Sequence, residues 1–196
     1  MMKPMRPLIA LAAALPLSAC LSFGEDPPPT LMSLTAETPL AVGTARSVQP
    51  TQAVWVAVPS VPQSLMTNRV PVQASPTAIA YLKKAQWVDA PNKLFRNLLA
   101  ETIAAKTGRV VADSRNFSIA ADTRLSGRLI NFGLDAASQS VVVTYDAALV
   151  RSDAGPVETR RFEARAPVAR EDGPTVAAAL NQAANQVAGE VAGWVG

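Results

Sequence analysis

Histidine is absent from this chain of 196 residues, and cysteine occurs only once. Histidine is the commonest general base, a frequent metal ligand and the usual partner of a nucleophilic serine, so most hydrolase mechanisms and most transition-metal sites lack their usual residues. One cysteine cannot form an internal disulfide, a redox pair or a thiolate metal cluster. We therefore expect no catalytic site, no metal site and no dissociable cofactor.

Charge is also sparse. Charged residues make up 17% of the chain, with 18 Lys and Arg against 15 Asp and Glu. Lys3 and Arg6 both precede the first apolar run, so the remainder carries 3 − 2 = +1. Because the cations are dispersed, the sequence predicts no nucleic-acid partner. Hydrophobic residues, at 49%, suffice for one ordinary core.

The sequence lacks both Gly-rich phosphate loops and a G-x-S-x-G elbow. A hydrolase that used carboxylates remains conceivable, but the spacing of the aspartates pairs none of them. Most of them fall at predicted strand ends or turns, where solvated carboxylates are common. The aspartates considered are Asp113, Asp122, Asp135 and Asp146.

The first nineteen residues are typical of a secretory signal peptide. Lys3 and Arg6 form a short positive region, residues 8–17 form an apolar run, and the small residues Ser18 and Ala19 follow. About ten apolar residues are too few to span a hydrocarbon core of ~30 Å. We assign residues 1–19 to a signal peptide that is removed.

The stretch "LSAC", residues 17–20, resembles the lipobox of bacterial lipoproteins. The resemblance implies cleavage between Ala19 and Cys20, a diacylglyceryl group on the Cys20 sulfur and a fatty acyl chain, such as palmitate, on its amine. The alternative is a signal peptide cut elsewhere, with an incidental cysteine. Leu21 stands where the sorting pattern has Asp in lipoproteins retained at the inner membrane, which favours the outer membrane and its periplasmic face.

Residues 20–30 read as an anchor followed by a tether. Three consecutive prolines favour polyproline II, which rises ~3.1 Å per residue, so the tether would reach ~30 Å at most. The alternative is a disordered leader that has no function as a spacer, which would have the same composition. In either case the globular domain is predicted over residues 31–196.

The pattern of that domain predicts an α+β fold: a mostly antiparallel sheet of about five to seven strands with two amphipathic helices packed on one face. The segment at 67–74 contains Pro71 and is predicted to be an edge strand at best. The last three strands follow each other closely and predict a meander. Strands are expected at 31–36, 52–59, 77–88, 109–114, 122–136, 139–152 and 157–168.

Both helices have clear boundary signals. The first is expected to begin at Pro91 and to stop at Gly108. The second follows "EDGP", where Asp172 or Gly173 can provide the cap. Its apolar stripe is Val176, Leu180, Ala183, Val187, Val191 and Trp194. Its other side has amides rather than charges, including Asn181 and Asn185. The helix is therefore expected to pack on the sheet, and the alternative is that its polar side binds a partner.

Most of the remaining large side chains are expected in the core, including Trp55, Trp87 and Trp194. The Pro-rich loop at residues 60–76 is our candidate contact surface, because loops on a rigid sheet often carry binding. Its candidate residues are Leu65, Met66, Asn68 and Arg69. The alternative is that this loop only connects two elements.

The order of these pieces resembles the ABC-type transport auxiliary lipoproteins, the PqiC/YmbA-like group. The resemblance rests on the lipobox, the closing helix and four stretches between them. The spacing from Trp87 to Pro91 is the part most specific to this family. Residues 40–49 depart from the family pattern as an insert, to which no role is assigned. The stretches are "LMSLTA", "VWVAVPSVPQSLMTNRVPV", "IAYLKKAQWVDAPNKLFRNLLAETI" and "TRLSGRLINF".

The resemblance implies a periplasmic accessory without catalysis in a system that transports lipids or other hydrophobic molecules. Its expected partners are an MCE-domain protein and an ABC permease with its ATPase, and it could form a homo-oligomer. A second hypothesis is a lipoprotein that itself binds a lipid between sheet and helices, because the Ala-rich second helix could leave room there.

Overall fold

The computed structural model describes residues 30–47, 49, 52–112, 121–151 and 155–196, so the predicted signal peptide, Ala19, Cys20 and nearly all of the tether lie outside the described residues. In the described part, two helices accompany one sheet of seven strands. The helices are α1 (Pro91–Thr107) and α2 (Gly173–Val195). The strands are β1 (Val54–Val56), β2 (Arg69–Ser75), β3 (Ala78–Gln86), β4 (Val111–Ala112), β5 (Thr123–Asp135), β6 (Ser140–Val150) and β7 (Val157–Pro167).

The sheet is organised around the long strand β5. Along one edge β5 pairs antiparallel with β6, which pairs antiparallel with β7, so the predicted meander is confirmed. Along the other edge β5 pairs in parallel with β1 near Arg124 and with β2 near Leu134. The α+β class and the strand number are confirmed, whereas the sheet is mixed: its long pairings are antiparallel and its short ones mostly parallel.

Strand β2 is an internal strand, so the prediction of an edge strand at best was wrong. It lies between β3 and β5. Pro71 is tolerated because the β2–β3 register shifts between Arg69 and Pro71, and because the pairs with β5 are Val72–Leu134 and Gln73–Asp135. The N–H that proline lacks is therefore not required by either recorded pair with β5.

Both helices pack on one hydrophobic core. Helix α1 begins at Pro91 and is followed by Gly108 in the left-handed conformation, with φ of 73°, as predicted. The carboxylate of Asp172 accepts a hydrogen bond from the Thr175 N–H at 2.8 Å and caps α2. Along α2 the predicted stripe from Val176 to Val191 is at most 1% exposed.

Aromatic rings fill the centre of this core. The rings of Trp87 and Phe132 are 5.4 Å apart, and those of Phe95 and Tyr145 are 5.3 Å apart. Trp194 is half-buried against Phe162, with ring centroids 5.6 Å apart. Trp55 departs from its prediction, because it is half-buried and lies on the face of β1 opposite the buried Val54 and Val56.

The segment at 31–36, predicted as a strand, is extended but makes only one bridge, between Met32 and Trp87. The amides of α2 hold it instead. The Thr35 N–H donates to Asn181 Oδ1 at 2.9 Å, the Glu37 N–H donates to Asn185 Oδ1 at 2.8 Å, and Asn185 Nδ2 donates to the Thr35 carbonyl at 2.9 Å. Two of the amides that suggested a partner helix are thus occupied by the chain itself.

No helix within the described ranges is both long and apolar enough to cross a membrane.

Candidate docking loop and the hollow beside it

Residues 57–68, here called the docking loop, connect β1 to β2 along the same edge of β5. The Ala57 N–H donates to the Leu125 carbonyl at 2.9 Å, and the Ser60 N–H donates to the Gly127 carbonyl at 3.0 Å. At the other end, the Trp87 N–H donates to the Asn68 carbonyl at 2.7 Å. The loop is therefore fixed to the sheet at both ends, and it is shorter than predicted because residues 69–75 form β2.

The four residues predicted for contact divide into one buried and three exposed. Leu65 is 1% exposed and belongs to the core, so its prediction as a contact residue was wrong; its apolar side chain closes a short 3₁₀ turn over the sheet. Met66 is 64% exposed, and Asn68 and Arg69 are exposed as well. The contact role of these three residues remains a prediction.

Arg69 is positioned by an aromatic ring. Its guanidinium lies 4.6 Å from the ring centroid of Tyr81, a cation–π distance, and the Tyr81 hydroxyl donates to the Ser64 carbonyl at 3.3 Å. Strand β3 thus supports the docking loop from below. The exposed Met66 and Arg69, three residues apart in sequence, thus belong to one rigidly held stretch of chain.

Beside the loop is a hollow of about 290 Å³ with a mainly apolar lining, here called the sheet hollow; the ion pair of Asp135 with Arg165 also borders it. It opens on the face of the sheet that carries Val142, whereas Val141 and Val143 point into the core under the helices. At its rim Ile79 is 51% exposed. Its apolar lining includes Leu65, Pro71, Pro76, Ile79, Ile130, Phe132, Leu134 and Val142.

Gly133 allows β2 to approach β5 closely at this hollow. A Cβ atom at position 133 would lie 2.3 Å from the carbonyl oxygen of Pro71, a distance that no side chain can accept. The structure shows that this glycine is needed because another backbone passes over it.

In the part of the chain that the structure describes, side chains fill the space between the sheet and the helices. A lipid therefore does not fit between them, the position that the sequence suggested. Val176, Leu180 and Val187 of α2 are fully buried there, and the small residues Ala184 and Ala188 are 0% exposed too. Small side chains in α2 allow close packing rather than a cavity. A lipid hypothesis therefore has to use the sheet hollow instead.

Two of the candidate catalytic aspartates, Asp135 and Asp146, are used in ordinary structural contacts. Asp146 accepts two hydrogen bonds from Arg161, at 2.6 and 2.7 Å, which hold its pKa below the usual value. The hydroxyl of Ser138, 2.7 Å from the carboxylate of Asp135, likewise lowers the pKa of Asp135. Asp135 pairs with Ser140 on β6, and Asp146 lies six residues further along the same strand. The two carboxylates are therefore roughly 20 Å apart, too far to act on one bond.

Asp122 is exposed just before β5, and Asp113 lies outside the described residues. Within the described ranges no three acidic or thiol side chains are grouped so that they could hold a metal ion.

Comparison with known proteins identifies a family and a fold. The family model described as "ABC-type transport auxiliary lipoprotein component" matches residues 33–192. A crystal structure of a Xanthomonas campestris protein assigned to the family DUF330 is 22% identical, with a TM-score of 0.67 over 84% of this chain and 94% of that one. A second crystal structure, of an uncharacterized protein, is 20% identical, with a TM-score of 0.63 over 85% of this chain and 100% of that one. No curated protein is significantly similar in sequence.

Proposed function

The chain belongs to the family of ABC-type transport auxiliary lipoprotein components, and on that basis we propose that it is a periplasmic accessory lipoprotein anchored in the outer membrane through Cys20. It docks onto an ABC transport system for lipids or other hydrophobic molecules and performs no catalysis itself. Its partners are an MCE-domain protein and the ABC permease with its ATPase, and copies of the chain can associate with one another. The family match over residues 33–192 is the observation that supports this proposal most.

The docking loop is the surface we assign to this role. Met66 is 64% exposed on a loop that is hydrogen-bonded to the sheet at both ends, so it can enter a partner's pocket without a large loss of loop entropy. Arg69, three residues further along the chain and stacked on Tyr81, provides charge that can select the partner. Exposed apolar side chains on a rigid base are typical anchors of protein interfaces.

We expect Met66→Asp to reduce capture of the transport subunits from solubilised membranes by at least about tenfold, because a carboxylate would have to be desolvated at the centre of the interface. The measurement is quantitative mass spectrometry of proteins retained by the tagged full chain. Val157→Asp is the matched control, since Val157 is also 64% exposed but lies at the start of β7. Equal losses in the two variants would contradict the assignment of this surface.

A second candidate function is lipid binding in the sheet hollow, favoured by its apolar lining and by the exposure of Ile79 at its rim. We expect native mass spectrometry of the gently extracted full chain to show one lipid per chain, and Ile79→Asp to remove it. Val157→Asp should retain the lipid. A chain that is empty in every preparation would contradict this candidate while leaving the docking proposal intact.

A further inference from the structure

A second hollow, distinct from the docking loop and the sheet hollow, lies over the C-terminal half of α1. Residues 40–46, part of the insert at 40–49, lie beside Ala100, Glu101 and Ala104 and border an open hollow of about 640 Å³. The Arg46 guanidinium holds this segment down by donating to the carbonyls of Ala104 and Arg109. We call this cavity the arginine hollow.

Three half-buried arginines line the arginine hollow: Arg46, Arg96 and Arg109. Glu101 is the only acidic residue among its described lining, so the wall carries a charge of 3 − 1 = +2. The ion pairs recorded among the described residues include none of these three arginines. The positive charge is therefore not balanced by the protein part that the structure describes.

The hydrogen bonds of these arginines go to neutral oxygens. Arg96 donates to the carbonyls of Val56 and Ala112, at 3.2 and 3.4 Å. Arg109 donates to the Thr123 hydroxyl at 2.7 Å and to the Gln52 carbonyl at 3.0 Å. Carbonyls near helix ends favour cations and account for part of this arrangement, but they bring no full negative charge.

The surroundings of Arg109 disfavour its positive charge. Partial burial and the nearby charge of Arg151 both lower its pKa, with burial the larger cause. Like charges that converge at a partly desolvated position favour a bound anion, because the anion lowers the repulsion. The hydrogen bonds of the Arg109 guanidinium go to Gln52, Ala53, Thr123 and Val195, outside the lining of the hollow, so Arg109 adds charge near the hollow and the direct contacts are assigned to Arg46 and Arg96.

We propose that the arginine hollow binds a phosphate group, either free or as the headgroup of an anionic lipid. Guanidinium groups match phosphate oxygens with paired hydrogen bonds, and Arg46 and Arg96 retain N–H groups that their recorded contacts do not use. The apolar part of the wall, Leu40, Ala41, Val110 and Val111, could contact the hydrocarbon next to such a headgroup. The proposal does not depend on docking or on lipidation, because it concerns binding to the isolated chain.

The test is calorimetric titration of the full chain, purified in a neutral detergent without phosphate, with inorganic phosphate and with dihexanoyl phosphatidic acid. We expect Arg96→Gln to weaken binding about tenfold, the loss of one charge-assisted contact. Glu101→Gln should tighten it about fivefold, because one unit of negative charge leaves the wall. Arg161→Gln, an exposed arginine paired with Asp146 on β6, is the control and should change nothing.

The two probes distinguish the sources of the phosphate. Equal affinities support recognition of the phosphate alone, and a lipid affinity at least tenfold higher supports a headgroup with its hydrocarbon. The tightening in Glu101→Gln keeps the test decisive if Arg96→Gln loses stability, since Glu101 takes part in none of the recorded ion pairs. Absence of binding to either probe, or identical affinities in all three variants, would overturn the proposal and leave these arginines with a purely structural role.

Discussion

Cys20→Ser is expected to shift the protein from the membrane fraction to the soluble periplasmic fraction, reducing the membrane-bound share by at least about tenfold. The reason is the loss of the proposed acyl chains. Each buried CH₂ contributes about 0.8 kcal/mol, and two or three chains make attachment effectively permanent whereas one does not.

The measurement is fractionation of cells followed by quantification of the chain in each fraction, with Ser22→Ala as a control that leaves the lipobox intact. The same cysteine substitution behind an ordinary secretory signal keeps the test valid if the native signal peptide stays uncleaved. Continued sedimentation of both Cys20→Ser forms with membranes would contradict the anchoring prediction.

The largest effect on stability is expected for Phe132→Ala. Phe132 is 1% exposed, its ring lies 5.4 Å from that of Trp87 and 6.4 Å from that of Phe95, and it also borders the sheet hollow. Removing the ring leaves a cavity between β5, Phe95 of α1 and Trp87. The backbone of Trp87 is hydrogen-bonded to Asn68 at the end of the docking loop. The free energy of unfolding should fall by about 3–5 kcal/mol.

Urea and thermal unfolding monitored by circular dichroism give this value, and the melting temperature should drop by roughly 10 °C. Val157→Ala is the control, because its side chain is 64% exposed and should change the unfolding free energy by less than about 0.5 kcal/mol. A loss below about 1 kcal/mol for Phe132→Ala would show that the ring cluster is not the centre of the core.

The parts that could be predicted from the sequence are those controlled by local periodicity. Alternation along residues 157–168 predicted β7, and the apolar stripe together with the Asp172 cap predicted α2. Signals within a few residues of each other suffice for such elements. The antiparallel meander follows from short turns between consecutive strands.

The parts that could not be predicted depend on residues far apart in sequence. Nothing near Thr35 reveals that it is held by Asn181, 146 residues away. Pro71 indicated an edge strand, because the sequence does not show the register shift that removes the need for its N–H. The arginine hollow likewise combines Arg46 with Arg96 of α1 in one lining, and only the fold brings these distant positions together.

Capture of proteins from gently solubilised membranes tests the central claim, that the chain is a docking accessory of an ABC transport system, most directly. The tagged wild-type chain and its Cys20→Ser variant serve as baits, and retained proteins are quantified by mass spectrometry against an untagged control. The account predicts that the wild type enriches an ABC permease, its ATPase or an MCE-domain protein, and that the variant loses most of this enrichment. Wild-type bait that retains none of these subunits above the control would contradict the account.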